Sequence, residues 1–256
     1  MKTRITRLFI MAVAISAMVG SVHAGVLLEW DFDGIPSGNG GTGYGESPFA
    51  PTWNESGFSS TGLERGEGVG FTGVSMSHAW GGRNYLAADA NEALEEKIFF
   101  VFDVIAAEGF TMSLDSIQTP WYGSPLQSPS SGLWQYSVDG GDTWENIGGT
   151  RNLPSEVHGT GGQYDWVNLD LKDIDDLQDI YEAMFRLVIW GGGGASGGRN
   201  GRFYLGTGTA PPIDSDLKGV DNTLTVWGTF TAIPEPSAVA LLVLSGAAIL
   251  LRRRKP

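Results

Sequence analysis

Thr223-Leu224-Thr225-Val226-Trp227-Gly228-Thr229-Phe230-Thr231 alternates apolar and hydroxyl-bearing side chains along its length. Leu224, Val226 and Phe230 fall on one face, and Thr223, Thr225, Thr229 and Thr231 on the other. A period of two with one apolar face is what a half-buried antiparallel strand requires. Working outward from it, further runs of strand character are separated by Gly, Ser, Pro and Asn clusters. They are Val26–Phe32, Lys97–Val104, Phe110–Gln118, Leu133–Val138, Thr143–Ile147, Tyr164–Leu171, Phe185–Trp190 and Arg202–Leu205. Asp139-Gly140-Gly141-Asp142, between the fourth and fifth of these, predicts a hairpin turn.

One segment breaks the pattern. From Asp173 to Met184 the apolar residues Ile174, Leu177, Tyr181 and Met184 recur at helical spacing, and Asp173, Asp175 and Asp176 occupy the first turn, where the helix dipole favours anions. The expectation is an all-β, jelly-roll-like antiparallel β-sandwich with one short helix lying over an edge or end of the sheets.

Composition narrows the function classes. The 256 residues include 38 glycines, 11% aromatics and no cysteine. The missing cysteines exclude a disulfide scaffold, Cys-ligated zinc, an iron–sulfur centre and a thiol nucleophile. Seven of the 16 Lys and Arg lie in the two terminal segments, with only Glu235 among the 29 acids. The middle of the chain is therefore strongly acidic, a surface that repels nucleic acid phosphates and anionic lipid. No nucleic acid partner is expected, while neutral sugars and divalent cations are compatible with such a surface.

The ends predict export. Lys2, Arg4 and Arg7 precede an apolar run, Leu8–Gly20, followed by Val22-His23-Ala24 with small residues at both positions read by a signal peptidase. Residues 1–24 read as a signal peptide cleaved after Ala24, because the apolar run is shorter than the ~20 residues a membrane span needs. At the other end come Pro234-Glu235-Pro236, an apolar stretch over Ala238–Leu251, and Arg252-Arg253-Arg254-Lys255. The two prolines hold Glu235 in an extended, accessible segment, and the arginines should stay on the cytoplasmic side and fix the orientation.

These last residues, 233–256, resemble the PEP-CTERM sorting signal of Gram-negative bacteria. The resemblance implies a transmembrane helix over 238–251, recognition at Pro234, Glu235 and Pro236 by an exosortase, and removal of the tail. It further implies transient insertion in the inner membrane, then release to the cell surface or extracellular matrix beside exopolysaccharide production. Residues 25–232 then form the exported domain. That domain is also similar to exported sandwiches preceding such tails, in Ser137-Val138-Asp139-Gly140-Gly141 and Asp221-Asn222-Thr223-Leu224.

Several motifs resolve into structural readings. Ser137–Trp144 fits the Asp-box of sialidases, but a single copy reads as one hairpin turn. Gly194-Ala195-Ser196-Gly197-Gly198 spells a nucleophile elbow, yet Arg199-Asn200-Gly201 follows and no His occurs after His158, so the helix and triad partners it needs are missing. Gly38, Gly40 and Gly43 mimic a dinucleotide fingerprint without the following helix. His78 and His158 are too far apart in sequence for a usual zinc site.

Calcium stays open. Asp31 and Asp33 share one side of the first strand, and Asp221 with Asn222 leads into the last. If first and last strands run side by side, Asp31, Asp33 and Asp221 converge on a structural calcium site; strand-end and cap roles explain them more simply. Asn168, Asp170, Asp173, Asp175 and Asp176 lack the glycine and final glutamate of an EF-hand loop. No other cofactor is expected.

The aromatics Trp121, Tyr122, Trp134, Tyr136, Trp144, Tyr164, Trp166 and Trp190 exceed what one small core needs. Most should be buried, but one or two exposed rings would make a sugar platform. The sequence thus points to an exported, non-enzymatic surface or matrix protein associated with exopolysaccharide. The alternative is a carbohydrate-binding module, and behind it an extracellular glycoside hydrolase. That last needs two facing carboxylates across a cleft. Signal peptidase, exosortase and an extracellular polysaccharide are the partners this reading names.

Overall fold

The computed structural model describes residues 22–35, 45–71, 78–123, 128–153, 163–192, 201–206 and 222–233. They form two antiparallel sheets packed face to face, an all-β sandwich. The first sheet contains β1 (Val22–Asp31), β2 (Trp53–Asn54), β5 (Ala79–Arg83), β7 (Phe110–Gly123), β11 (Gln163–Asp170), β13 (Arg202–Gly206) and β14 (Thr223–Ala232). The second contains β3 (Phe58–Ser59), β4 (Glu64–Arg65), β6 (Phe99–Ala106), β8 (Ser131–Ser137), β9 (Glu145–Asn146), β10 (Arg151–Asn152) and β12 (Glu182–Trp190).

In the first sheet the order runs β2-β1-β14-β7-β11. The long β7 gives one edge first to β14 and then to β13, which carries β5 outward. First and last strands of the domain lie side by side, from Val22 opposite Thr231 to Asp31 opposite Thr223. In the second sheet β12 is central, flanked by β6 and β8.

Alternation explains which face each strand buries. β12 turns Ala183, Phe185, Leu187 and Ile189 inward, β6 turns Phe100, Phe102 and Val104 inward, and β8 turns Trp134 and Tyr136 inward. From the facing sheet come Leu28, Trp30, Trp80, Leu114, Ile117, Trp121, Phe203, Leu224 and Val226. Rings lock across the interface: Trp30 meets Phe102 edge-on at 5.2 Å between centroids, Trp80 meets Phe100 at 4.8 Å, and Phe203 stacks on Phe100 at 6.0 Å. Such pairs add about 0.5–1.5 kcal/mol each beyond the area they bury. The Trp30 and Trp80 indoles donate to the carbonyls of Phe49 and Glu46 at 2.8 and 2.7 Å, so neither buried N–H is left unpaired.

Two bulges shape the first sheet. The register between β1 and β14 slips between Val26 and Leu28, and Leu27 and Leu28 are both fully buried as a result. On the other edge of β14 the slip falls at Asp115 of β7, whose carbonyl accepts the N–H of Leu171 instead of pairing with β14. Bulges of this kind increase local twist and re-aim side chains.

The helix expected over Asp173–Met184 is absent. Only a 3₁₀ turn forms, over Asp175–Leu177, and Glu182 already opens β12. Three contacts end the helix. Gln178 donates its amide to the carbonyls of Leu114, Leu171 and Ile174; Asp179 takes a left-handed φ of 56°; and Ile180 bridges to Met112. The apolar stripe read at helical spacing is two patterns joined end to end, Ile174 and Leu177 from the turn and the alternation of β12 after them. Pairing in the middle of a sheet overrides the local preference.

The helix that does form among the described residues, α1 (Ala90–Glu95), was not expected. Asp89 caps it by accepting from the backbone N–H groups of Asn91 and Glu92, and Glu92 reaches back to the N–H of Ala88. This resembles a capping box, with Glu92 reaching one residue past the N-cap. Six residues carry too little periodicity to be found any other way. The predicted strand over Thr143–Ile147 shrinks to β9, because the Asp139–Asp142 turn extends through Thr143.

Candidate functional site

The outer face of the first sheet carries an ordered set of side chains. Because Leu28, Trp30, Leu224, Val226, Ile117 and Leu169 point into the core, the residues between them point out. Register places Trp53 of β2 opposite Glu29 of β1, Glu29 opposite Thr225 of β14, Thr225 opposite Gln118 of β7, and Gln118 opposite Asn168 of β11. These five residues form one row across five strands, about 19 Å long at ordinary strand spacing. A second row, one pleat over, contains Trp227, Ser116 and Asp170. On the opposite side Asp31 faces Thr223.

Two exposed indoles stand on this patch, Trp53 at its β2 edge and Trp227 on its central strand, β14. Trp53 is 43% and Trp227 38% exposed. Two strands apart across the sheet and one row apart along it, their Cα positions are about 12 Å from each other. Glu29 and Thr225 lie between them, and Gln118 and Asn168 continue the row beyond β14. Thr223 and Thr225 share a hydrogen bond at 2.9 Å and are each only 7% exposed. β14 is therefore more deeply buried than the half-buried strand expected. Thr225 sits between the longer Glu29 and Gln118, which wall it in. No Lys or Arg belongs to these rows.

At one end of the patch the chain is wired by Asn222. Its amide donates to Asp33 Oδ1 at 3.0 Å and to the carbonyl of His78 at 2.9 Å, and its own carbonyl accepts the N–H of Phe32. The His78 imidazole stands 3.7 Å from the same Asp33 oxygen. Asp31 accepts the N–H of Asp33 at 2.8 Å. The first and last strands thus bring Asp33 against Asn222, while the Asp31 carboxylate is turned to its own turn. Asp221 lies outside the described residues. Among the described residues no three His, Cys, Asp or Glu form a group that could hold a metal ion.

The outer face of the second sheet has a different chemistry. Arg186 of β12 lies between two rings, 4.0 Å from the Trp144 centroid and 5.6 Å from that of Phe99. Its Nε donates to Gln135 Oε1 at 2.7 Å, and Gln135 in turn donates to Asn146 Oδ1 at 2.8 Å. Burial pulls the guanidinium down to about 10.

Beside this cluster the Asp139 hairpin closes on itself. Asp139 accepts from the Thr143 hydroxyl at 2.6 Å, from its N–H at 2.9 Å and from Ser137 at 2.7 Å, while the Trp144 indole donates to the Gly141 carbonyl. These donors, the Thr143 hydroxyl first, hold the carboxyl down at about 2. The polar groups of Ser137, Asp139 and Thr143 and the Trp144 indole N–H are spent on the turn, as the single-hairpin reading expects.

One carboxylate pair does meet. The Tyr136 hydroxyl lies 3.0 Å from Glu145 and 3.3 Å from Asp176, and burial with those two neighbours pushes the phenol well above its usual value. Glu145 and Asp176 are both exposed on the surface.

Of the aromatics singled out from sequence, Trp121, Trp134 and Tyr136 are core, and Trp144 and Trp190 are half-buried. The side chains of Tyr122, Tyr164 and Trp166 lie outside what the structure describes. Trp53 and Trp227 were not on that list. The signal available was the outward phase of Trp227 within the alternation of β14. Trp53 sits in a glycine-rich stretch whose two-residue strand has no periodicity to read. Ala24 is exposed and sits in β1 opposite Thr229. Pro234, Glu235, Pro236, the apolar run over 238–251 and Arg252, Arg253 and Arg254 lie outside the described residues. Among the described residues no helix is long and apolar enough to cross a membrane.

No protein-family model and no curated protein matches the chain. Among solved structures it is similar to a carbohydrate-binding module, CBM28, specific for non-crystalline cellulose. The identity is 12% and the TM-score 0.33, over 71% of this chain and 94% of that one. A likeness that slight says nothing about ligand or site.

Proposed function

We propose that this protein is an exported, non-catalytic β-sandwich that binds a neutral glycan chain, delivered to the cell surface or extracellular matrix by its C-terminal tail. The observation that carries the binding half is the pair of exposed indoles, Trp53 and Trp227, on one sheet face with a polar row beside them. Indole faces stack on the apolar faces of sugar rings, and Glu29, Gln118 and Asn168 supply acceptors and donors for hydroxyl groups. A separation of about 12 Å suits an oligosaccharide rather than a single ring. With Glu29, Asp31 and Asp170 on the face and no cation in its rows, an uncharged chain is the matching ligand. The side-by-side first and last strands fit the jelly-roll-like winding read from the sequence.

Delivery rests on the tripartite tail: Pro234-Glu235-Pro236 for an exosortase, the apolar stretch to hold the chain in the inner membrane, and Arg252–Arg254 to orient it. Replacing Glu235 by Ala should leave the protein in the inner membrane, and normal release of that variant would sink the sorting reading.

Binding is tested by calorimetry or affinity electrophoresis with amorphous cellulose, mixed-linkage glucan and mannan. Trp53→Ala and Trp227→Ala should each weaken binding roughly tenfold, about 1.4 kcal/mol, and the double variant should abolish it. Binding that survives the double variant unchanged would place the ligand elsewhere. No binding to any neutral glycan by the wild-type chain would leave a structural matrix protein.

A further inference from the structure

Among the described residues, the second sheet presents a cation with no ion-pair partner. Arg186 is half-buried, its Nε is committed to Gln135, and the rings of Trp144 and Phe99 hold the guanidinium in place. Among the described residues the ion pairs are His78–Asp33 and Lys97–Glu67, and neither involves Arg186. Its cross-strand neighbours are Val101 on one side and Gln135 on the other; Asp103, on the same face of the adjacent β6 and diagonal to Arg186, is committed to Ser60 and Thr61, and Glu64 lies beyond Val101, two strands away. In a chain of net charge −13 a partly desolvated guanidinium with no ion pair among the described residues is an anomaly.

The rest of the row is rich in donors. Gln135 keeps a second amide N–H after its bond to Asn146, and the exposed Asn146 accepts through Oδ1, leaving both amide hydrogens free to donate. A fork of guanidinium nitrogens followed along one line by two primary amides matches a ligand with a carboxylate at one end and hydroxyl oxygens beside it. Stacked on Trp144, the guanidinium offers its edge, the geometry that binds a carboxylate through two parallel hydrogen bonds.

We propose that Arg186, with Gln135 and Asn146, is a binding site for the carboxylate of a uronic acid residue in an acidic polysaccharide. The site is on the sheet opposite Trp53 and Trp227 and does not rest on the neutral-glycan reading. Arg186 Nη1 and Nη2 take the carboxylate, and the two amides take ring or glycosidic oxygens. The acidity of the remaining surface keeps binding weak for densely charged polymers and favours chains in which uronates alternate with neutral sugars.

The test uses the full chain, with alginate, polygalacturonate and a mixed uronate–neutral polysaccharide in affinity electrophoresis, each with and without a chelator. Arg186→Lys keeps the charge and loses the fork, and Gln135→Glu places a carboxylate on Arg186 itself, so that the guanidinium is neutralised without removing its packing. Both should weaken uronate binding tenfold or more, leave thermal unfolding within a few degrees and leave neutral-glycan binding unchanged. Wild-type binding that is absent, that disappears with the chelator, or that persists in Gln135→Glu would overturn the proposal. Displacement by inorganic phosphate or an acidic peptide as readily as by a uronate oligosaccharide would overturn the sugar assignment.

Discussion

Replacing Asn222 by Ala tests how the two ends of the domain are joined. Asn222 is 8% exposed and its amide bonds two chain segments distant in sequence, Asp33 after β1 and His78 before β5. Alanine removes both bonds at about 0.5–1.5 kcal/mol each and leaves the His78 carbonyl short of a partner in a partly buried site, a further ~1 kcal/mol or more. The exposed Asp33 carboxylate re-solvates and adds little. The sum is about 2–4 kcal/mol. In a domain of this size each kcal/mol moves the midpoint by roughly 2–4 °C, so Tm should fall by about 5–15 °C. Thermal unfolding followed by near-UV circular dichroism, at neutral pH with a chelator present, measures it. Asn222→Asp should be worse than alanine, because it sets a carboxylate against Asp33, and added calcium should then recover part of the loss. A Tm within 1–2 °C of wild type for Asn222→Ala would refute the claim that this amide clasps the strand ends.

Three further outcomes follow from particular contacts. Gly81→Ala should destabilise by at least about 2 kcal/mol, because a Cβ there would run into the backbone of Phe203 and Tyr204 on β13, which cannot give way; chemical denaturation reads it. Asp103 is 4% exposed and accepts from the Ser60 hydroxyl and from both the N–H and hydroxyl of Thr61. Asp103→Ala should therefore cost about 2–4 kcal/mol and raise hydrogen exchange at Ser60–Gly62. Asp139, held down at about 2, contributes stability above its ordinary range near 3.9 and loses it as pH falls toward 2. Between pH 4 and 2 wild type should lose stability that Asp139→Asn lacks at every pH, and parallel acid-unfolding curves for the two would contradict the assignment.

Where the chain bends and alternates is written locally. β14, β12 and β6 are legible because period-two patterning depends only on neighbours i and i+2, and the Asp139-Gly140-Gly141-Asp142 turn needs glycines at positive φ, which both Gly140 and Gly141 adopt. The same locality misled over Asp173–Met184, where two short patterns of different origin add up to a helical stripe. Only the β12 pairing with β6 and β8 decides between them.

The surface chemistry was not legible in that way. That Trp53 stands beside Glu29, and Trp227 one row from Thr225, depends on register between strands far apart in sequence. That Arg186 lies on Trp144 follows from a hairpin folding back over the sheet, 42 positions upstream. Asn222 reaches Asp33 across 189 residues. The sequence by itself determined the all-β class, the positions of the long strands, the acidity of the surface and the export expectation, because composition and short-range periodicity are properties of neighbouring residues. Which indoles stay exposed, which cation stacks between two rings and which amide ties the ends together were decided by tertiary packing, because burial and partnership are properties of residues that meet only when both sheets have closed.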